Sequence, residues 1–219
     1  MSPSKRGTKA PASAPRFDWE GLAQYKQEKR FLDHYPDDFR TFWSPRDSVH
    51  AMLVALLTSA QRSLVLNMFG YDDDDLDAII REKLGTEHVY VQMSLDKSQS
   101  GGVHEQEILK KWANDAFGNS IAIGTSAVGH AISHLKIVIV DGVYTVRGST
   151  NWSLSGEGEQ DNELTLSRNA VIAAETRSVL DLNHDWMLKQ MAAAAMGKKP
   201  PTQKPPARAR RRSPAPAGG

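Results

Sequence analysis

Two runs of β-branched residues, KIVIV and VYTV, flank Asp141-Gly142, and this pattern constrains the fold more than any other stretch of the chain. Both central positions of a type I′ turn need positive φ angles, which Asp and Gly tolerate, so the spacing predicts a two-residue hairpin within 133–153. With Val140 opposite Val143, the register puts Lys136 opposite Arg147 and His134 opposite Ser149. Residues two apart on a strand share a face, as do directly opposed ones, so His134, Lys136, Arg147 and Ser149 are expected on one patch, with Asn151 just beyond. Val138, Val140, Val143 and Thr145 continue that face into apolar territory. The polar cluster is thereby placed at a sheet end, where ligands of α/β sheets usually bind.

The remaining pattern surrounds the hairpin with alternating strands and helices. Ser44-Pro45-Arg46-Asp47 reads as an N-cap, a Pro at the first helical position and an acid three residues after the cap, ahead of apolar residues at helical spacing from Val49 to Ala60. Leu64 to Phe69 reads as a buried strand and Tyr71 to Leu84 as a helix. The run Asp72 to Asp75 complements the dipole of that helix rather than marking a metal site. Val89 to Leu95, Ser120 to Ile123 and Glu163 to Ser167 read as strands, Val103 to Trp112 and Ala170 to Met196 as helices. The fold class is α/β, a mixed sheet flanked by helices. Residues 17–43 hold half of the chain's Phe, Tyr and Trp and read as an aromatic-rich helical extension that packs on the core, ahead of a catalytic domain over 44–196.

Charge separates the ends from the middle. Residues 1–16 and 197–219 take 11 of the 27 basic residues and none of the 26 acidic ones, which leaves the middle with a formal charge of −10. Both ends are rich in Pro, Ala, Ser and Gly and read as disordered basic tails, the second a tether for nucleic acid. The middle is not a basic nucleic-acid surface, so polyanion affinity must come from the tails or from a local site. There is no cysteine, hence no disulfide framework or thiolate metal site, and no apolar run suited to a signal peptide or membrane span. A cytoplasmic chain without stable membrane insertion is expected.

The predicted patch offers an imidazole, an ammonium, a guanidinium, a hydroxyl, an amide and the flexible backbone at Gly148. All but the imidazole donate to phosphate oxygens, and imidazole serves both as a nucleophile towards phosphorus and, protonated, as an acid for an alkoxide leaving group. The same residues would also suit an exposed hairpin end whose charges are merely solvated. A metal pair at His130 and His134 conflicts with Gly129 and with the strand that begins near His134, and His104 reads as a surface histidine.

Residues 134–151 match H-x-K-x4-D-x6-G-S-x-N at every fixed position, through His134, Lys136, Asp141, Gly148, Ser149 and Asn151. This resembles the HKD signature of the phospholipase D superfamily, and the single copy resembles its small bacterial endonucleases and Zucchini-type enzymes. The resemblance implies a homodimer that pairs two motifs in one site and a metal-independent phosphodiesterase without cofactor, acting on DNA or RNA. It implies His134 as nucleophile, with the second subunit's histidine as acid, and Lys136, Asn151 and Ser149 as phosphate ligands. It also implies a downstream carboxylate that orients the histidine, Asp161 by its following Asn162, with Glu163 as the alternative. Asp141, in the turn, is structural. A phospholipase or cardiolipin hydrolase using the same site is the first alternative, and a nucleic-acid-binding protein with weak catalysis the second.

Overall fold

The computed structural model describes residues 16–99, 118–127, 131–199 and 201. The helix expected over 103–112, His104, His130 and most of both basic tails lie outside the described residues.

Seven strands form one mixed sheet in the order β1-β7-β6-β5-β2-β3-β4. They are β1 Phe39–Ser44, β2 Ser63–Met68, β3 Tyr90–Asp96, β4 Ile121–Gly124, β5 Lys136–Val140, β6 Tyr144–Gly148 and β7 Asn162–Arg168. β2, β3 and β4 run parallel, and β5, β6, β7 and β1 continue the sheet antiparallel. Because side chains alternate between faces, the sheet builds two cores. On one side Leu64, Leu66, Met68, Val138, Val140, Val146 and Leu166 pack under α1 (Val49–Thr58) and α2 (Asp74–Leu84). On the other, Val65 and Ile139 meet Ala173 and Leu180 of α4 (Ala170–Ala195). The short α3 (Leu154–Gly158) lies between β6 and β7 in sequence.

The hairpin forms, but one residue out of the expected register. Asp141 and Gly142 have φ of 54° and 70°, and Val143 N–H donates to Val140 O at 3.1 Å, as a type I′ turn requires. The next rung, however, is Val140↔Tyr144, followed by Ile139↔Thr145, Val138↔Val146 and Ile137↔Arg147. Val143 is left out of the ladder because its carbonyl accepts the N–H of Asn169, beyond β7, at 2.9 Å. A one-residue shift turns side chains to the other face. Arg147 therefore opposes Ile137 and borders α4 with Leu135 and Ile172, rather than joining Lys136 as expected. Thr145 and Val143 leave the Val138–Val140 face for the same reason.

The segment 17–43 also departs from expectation. It contains a short 3-10 helix, Glu20–Tyr25, and then β1, so the boundary expected at residue 43 falls inside a strand that pairs with β7 from Phe39↔Ser167 to Ser44↔Asn162. Its aromatics do pack: Phe17 and Trp19 meet Tyr144 at 5.1 and 6.0 Å, and Phe31 meets Phe42 at 5.8 Å. Strand alternation buries Phe42 and leaves Trp43 exposed. Ser44 closes β1 and does not cap α1, whose N-cap is Ser48. Asp47 instead accepts N–H bonds from Trp43 and Gln27, both at 2.9 Å, and pairs with Lys26 at 2.5 Å. A carboxylate held by three donors is fixed in this turn and unavailable to a helix start, and these bonds hold its pKa below the usual value against the opposing effect of burial.

Candidate active site

His134, Lys136 and Asn151 of the motif gather at one end of the sheet, where β5 begins and β2, β3 and β6 finish. His134 lies two residues ahead of Lys136, the first residue of β5, which pairs with Met68 at the end of β2. A buried polar anchor fixes the approach to β5. Ser133 N–H donates to Asp96 Oδ2 at 2.5 Å, and Ser133 Oγ to Asn67 Oδ1 at 3.1 Å, with Asp96 and Asn67 almost fully buried in β3 and β2. His134 itself points outward, its ring edge-to-face against Phe69 with centroids 4.4 Å apart.

Lys136 is 5% exposed, and its ammonium sits 3.2 Å from the His134 carbonyl oxygen and 4.7 Å from the centre of the Phe69 ring. Among the described residues no carboxylate faces it in an ion pair, and burial lowers its pKa from the ordinary lysine value. A cation desolvated without a counter-charge is costly to the fold and suits the capture of an anion.

Asn151 is brought in from the other strand by main-chain bonds: Trp152 N–H donates to Gly70 O at 3.1 Å and Asp72 N–H to Trp152 O at 2.8 Å. Its side chain packs on Gly70, where a Cβ would stand 2.7 Å from Asn151 Cγ, so glycine is needed for the approach. Asn151 Oδ1 is buried without a hydrogen-bond partner, which leaves the carboxamide with unused capacity for a ligand. At Gly148 a Cβ would lie 2.1 Å from the Glu163 carbonyl oxygen. This explains why the motif has glycine there: β6 and β7 touch backbone to backbone.

Ser149 turns towards β7. Its N–H donates to Glu163 O at 3.0 Å, its hydroxyl to Asn162 Oδ1 at 2.9 Å, and it accepts from Glu163 N–H at 3.1 Å. It shares an open cleft of about 580 Å³ with Trp43, Arg46, Asp161, Asn162 and Glu163. Asp161 is exposed in this cleft, whereas Glu163 accepts from Thr165 Oγ1 at 2.7 Å. Among the described residues no ion pair joins His134 to either carboxylate. Asp141 occupies the far end of β5, where Oδ1 accepts from the N–H groups of Arg62 at 2.7 Å and Ser63 at 2.9 Å. It ties the hairpin to β2 and takes no part in the polar cluster.

Sequence reasoning missed Asn67, Phe69, Gly70, Asp96 and Ser133, which position the motif from other strands. It also missed a donor set away from these residues: among the described residues, His50, Asp73 and Glu157 bring ligand-type atoms within 4.8 Å of one another.

The sheet order and the polar cluster at its end define a phospholipase D-like phosphodiesterase fold. The family model described as cardiolipin synthase, PLD-like domain, matches residues 53–186, and the chain belongs to that family. Its structure is similar to Nuc from Salmonella typhimurium, described as a phospholipase D family member, with a TM-score of 0.55 at 20% identity over 67% of this chain and 93% of that one. NucT from Helicobacter pylori gives a TM-score of 0.55 at 16% identity, over 68% and 97% of the two chains. Phosphatidylserine synthase from Haemophilus influenzae gives 0.52 at 13% identity, over 67% of this chain and 38% of that one. No curated protein matches the chain. Among the described residues no helix is long and apolar enough to cross a membrane.

Proposed function

We propose that the chain is a metal-independent endonuclease acting as a homodimer, with His134 as the nucleophile. The observation that carries this reading is Lys136: a buried ammonium with no carboxylate partner among the described residues, beside His134 and at the same sheet end as the unsatisfied carboxamide of Asn151. Together they suit one phosphodiester, with Lys136 and Asn151 holding its non-bridging oxygens. Ser149 assists from the cleft side.

One neutral His134 attacks phosphorus and forms a P–N bond as the P–O bond to the leaving group breaks. The partner subunit's His134, protonated, gives its proton to the departing oxygen. It then takes a proton from water, which attacks phosphorus, breaks the P–N bond and returns His134 to its neutral state. The two histidines are equivalent before substrate binds, so bound substrate must assign one as nucleophile and the other as acid. Asp161, exposed in the cleft beside Ser149, is the carboxylate we assign to orienting His134 once substrate and the second subunit are in place; Arg147, on the other face, has no part in the site.

A nucleic acid is favoured by Trp43 and Arg46, which share the cleft with Ser149: an indole that is 51% exposed can stack on a base next to a bound phosphate. The basic tails supply salt-dependent affinity that the acidic body lacks. A lipid phosphodiesterase is the second reading, favoured by the family description, which names cardiolipin synthase. The deciding experiment incubates wild type and His134→Ala with labelled single- and double-stranded DNA, RNA and cardiolipin vesicles in EDTA, with the fold monitored by circular dichroism in the same buffer. Cleavage of a nucleic acid by wild type alone supports the reading; turnover of cardiolipin alone transfers the site to lipid. Loss of activity in EDTA from a chain still folded would end the metal-independent mechanism.

A further inference from the structure

The run Asp72 to Asp75 opens α2 as the sequence suggests. Asp73 is the N-cap, with Oδ1 accepting the Leu76 N–H at 2.8 Å. Its other oxygen has a different setting. Asp73 Oδ2 lies 3.1 Å from His50 Nδ1, on the first turn of α1, and the same nitrogen lies 2.8 Å from Glu157 Oε2 on α3. The phosphate site uses none of these three residues.

We propose that His50, Asp73 and Glu157 bind one divalent transition-metal ion of the zinc class, and that this ion ties α3 to α1 and α2. One nitrogen and two carboxylate oxygens form a donor set suited to such a cation. Ligands about 2.0–2.1 Å from a tetrahedral ion stand roughly 3.3 Å from one another, so the two N···O distances of 3.1 and 2.8 Å need lengthen only by a few tenths of an ångström, and all three ligand atoms already lie within 4.8 Å of one another. Glu157 provides a second, independent observation. It is 4% exposed, and its remaining oxygen, Oε1, is buried with no hydrogen-bond partner. A buried carboxylate with an unsatisfied oxygen is destabilising unless a cation lies against it.

An imidazolium at His50 is the competing account of this geometry. It would donate from Nδ1 to Glu157 and Asp73, and from Nε2 towards Asp75 at 3.5 Å. Burial raises the pKa of the Glu157 carboxyl to about 7, so at least one negative charge is left uncompensated among these four residues even when Glu157 carries its proton, and Glu157 Oε1 has no hydrogen-bond partner. The site also has an entrance. A cleft of about 560 Å³ reaches Asp73, and among the described residues its wall carries Asp72, Asp74, Asp75 and Glu159 but neither Lys nor Arg. A cation is drawn into such a cleft, where water can complete the coordination, while Asp75 stays on the Nε2 side of the His50 ring.

The proposal does not depend on the phosphodiesterase reading, because the ion bridges helices and supplies no group to the phosphate. The test uses the full chain, stripped with EDTA, dialysed and titrated with Zn²⁺ by calorimetry, with Co²⁺ as the spectroscopic probe. One ion per chain is expected, with a rise in Tm of about 5–10 °C at hundredfold excess over Kd. The tails and other histidines can also bind zinc, so His50→Ala and Glu157→Gln are run alongside; both should lose the Tm rise and the intense visible bands of low-coordinate Co²⁺. Glu157→Gln keeps the shape of the side chain and removes a buried charge, so its apo fold should survive. Should either variant fail to fold, the wild-type Co²⁺ spectrum decides, since bands no stronger than those of the hydrated ion overturn the proposal. Absence of stoichiometric uptake overturns it too, and leaves His50 as a counter-charge. Equal affinity in wild type and both variants would place the ion elsewhere and refute the assignment.

Discussion

Gly148→Ala tests how tightly the site depends on backbone contact between β6 and β7. A Cβ at this position would meet Glu163 O at 2.1 Å, and Glu163 C and Leu164 Cα at 3.0 Å. All three are main-chain atoms, which cannot rotate aside, and ordinary contacts of this kind lie near 3.5 Å, so the strands must part by about 1 Å. That breaks Ser149 N–H to Glu163 O and Glu163 N–H to Ser149 Oγ, at about 1 kcal/mol each. Overpacking adds about 1–3 kcal/mol. The total, roughly 3–5 kcal/mol, leaves a domain of ordinary stability folded but lowers Tm by about 6–20 °C. Activity should fall with it, because Ser149 and Asn151 follow directly on the displaced residue. Gly158→Ala is the control: a Cβ there meets nothing within 4 Å and its backbone is not in the left-handed region. Urea and thermal unfolding of the two variants, with turnover measured well below Tm, give the comparison. If Gly148→Ala stays within about 0.5 kcal/mol of Gly158→Ala, the close approach of the strands is not what the glycine serves.

Lys136→Met should remove turnover by about 100-fold or more while leaving Tm equal or raised, since the thioether fills the site without a buried charge; a Tm that falls along with activity would make Lys136 a structural residue. His184 donates from Nε2 to Asn119 O at 2.6 Å and accepts from Ser94 Oγ at Nδ1, and burial lowers its pKa below the ordinary 6.5. Its folded pKa is below the unfolded one, so its contribution is complete above pH 6.5 and is lost as pH falls through the folded value; Tm against pH should drop on the acid side of 6.5, and His184→Gln should flatten that slope. Trp43→Ala should raise KM for an oligonucleotide by roughly 5- to 150-fold with little change in kcat or Tm, and Trp43→Phe should restore most of it; an unchanged KM would remove the base-stacking role.

Much of the fold is legible because its signals are local. The apolar run Leu64 to Met68, the hairpin turn at Asp141-Gly142 and the acidic start of α2 each carry their own periodicity or turn chemistry. What failed was decided at long range. The register depends on Asn169 claiming the Val143 carbonyl, 26 residues downstream, which no reading of the hairpin alone could supply. The segment 17–43 looked helical because its aromatics dominate, yet β1 exists through its pairing with β7. The same division runs through the site. His134, Lys136 and Asn151 are conspicuous in one short motif, while Asn67, Asp96 and Gly70, which hold that motif in place, are ordinary residues at strand ends. His50, Asp73 and Glu157 are separated widely in sequence and meet only when α1, α2 and α3 pack.

The central claim, that His134 attacks phosphorus, is tested most directly by acid-free rapid quenching of wild type with a cleavable oligonucleotide in EDTA, followed by intact-mass and peptide mapping. A transient adduct with the mass of one oligonucleotide cleavage fragment is expected on the peptide containing His134, formed and lost at rates consistent with turnover and absent from His134→Ala. Turnover by His134→Ala at the wild-type rate, or an adduct mapped to another residue, would contradict that claim.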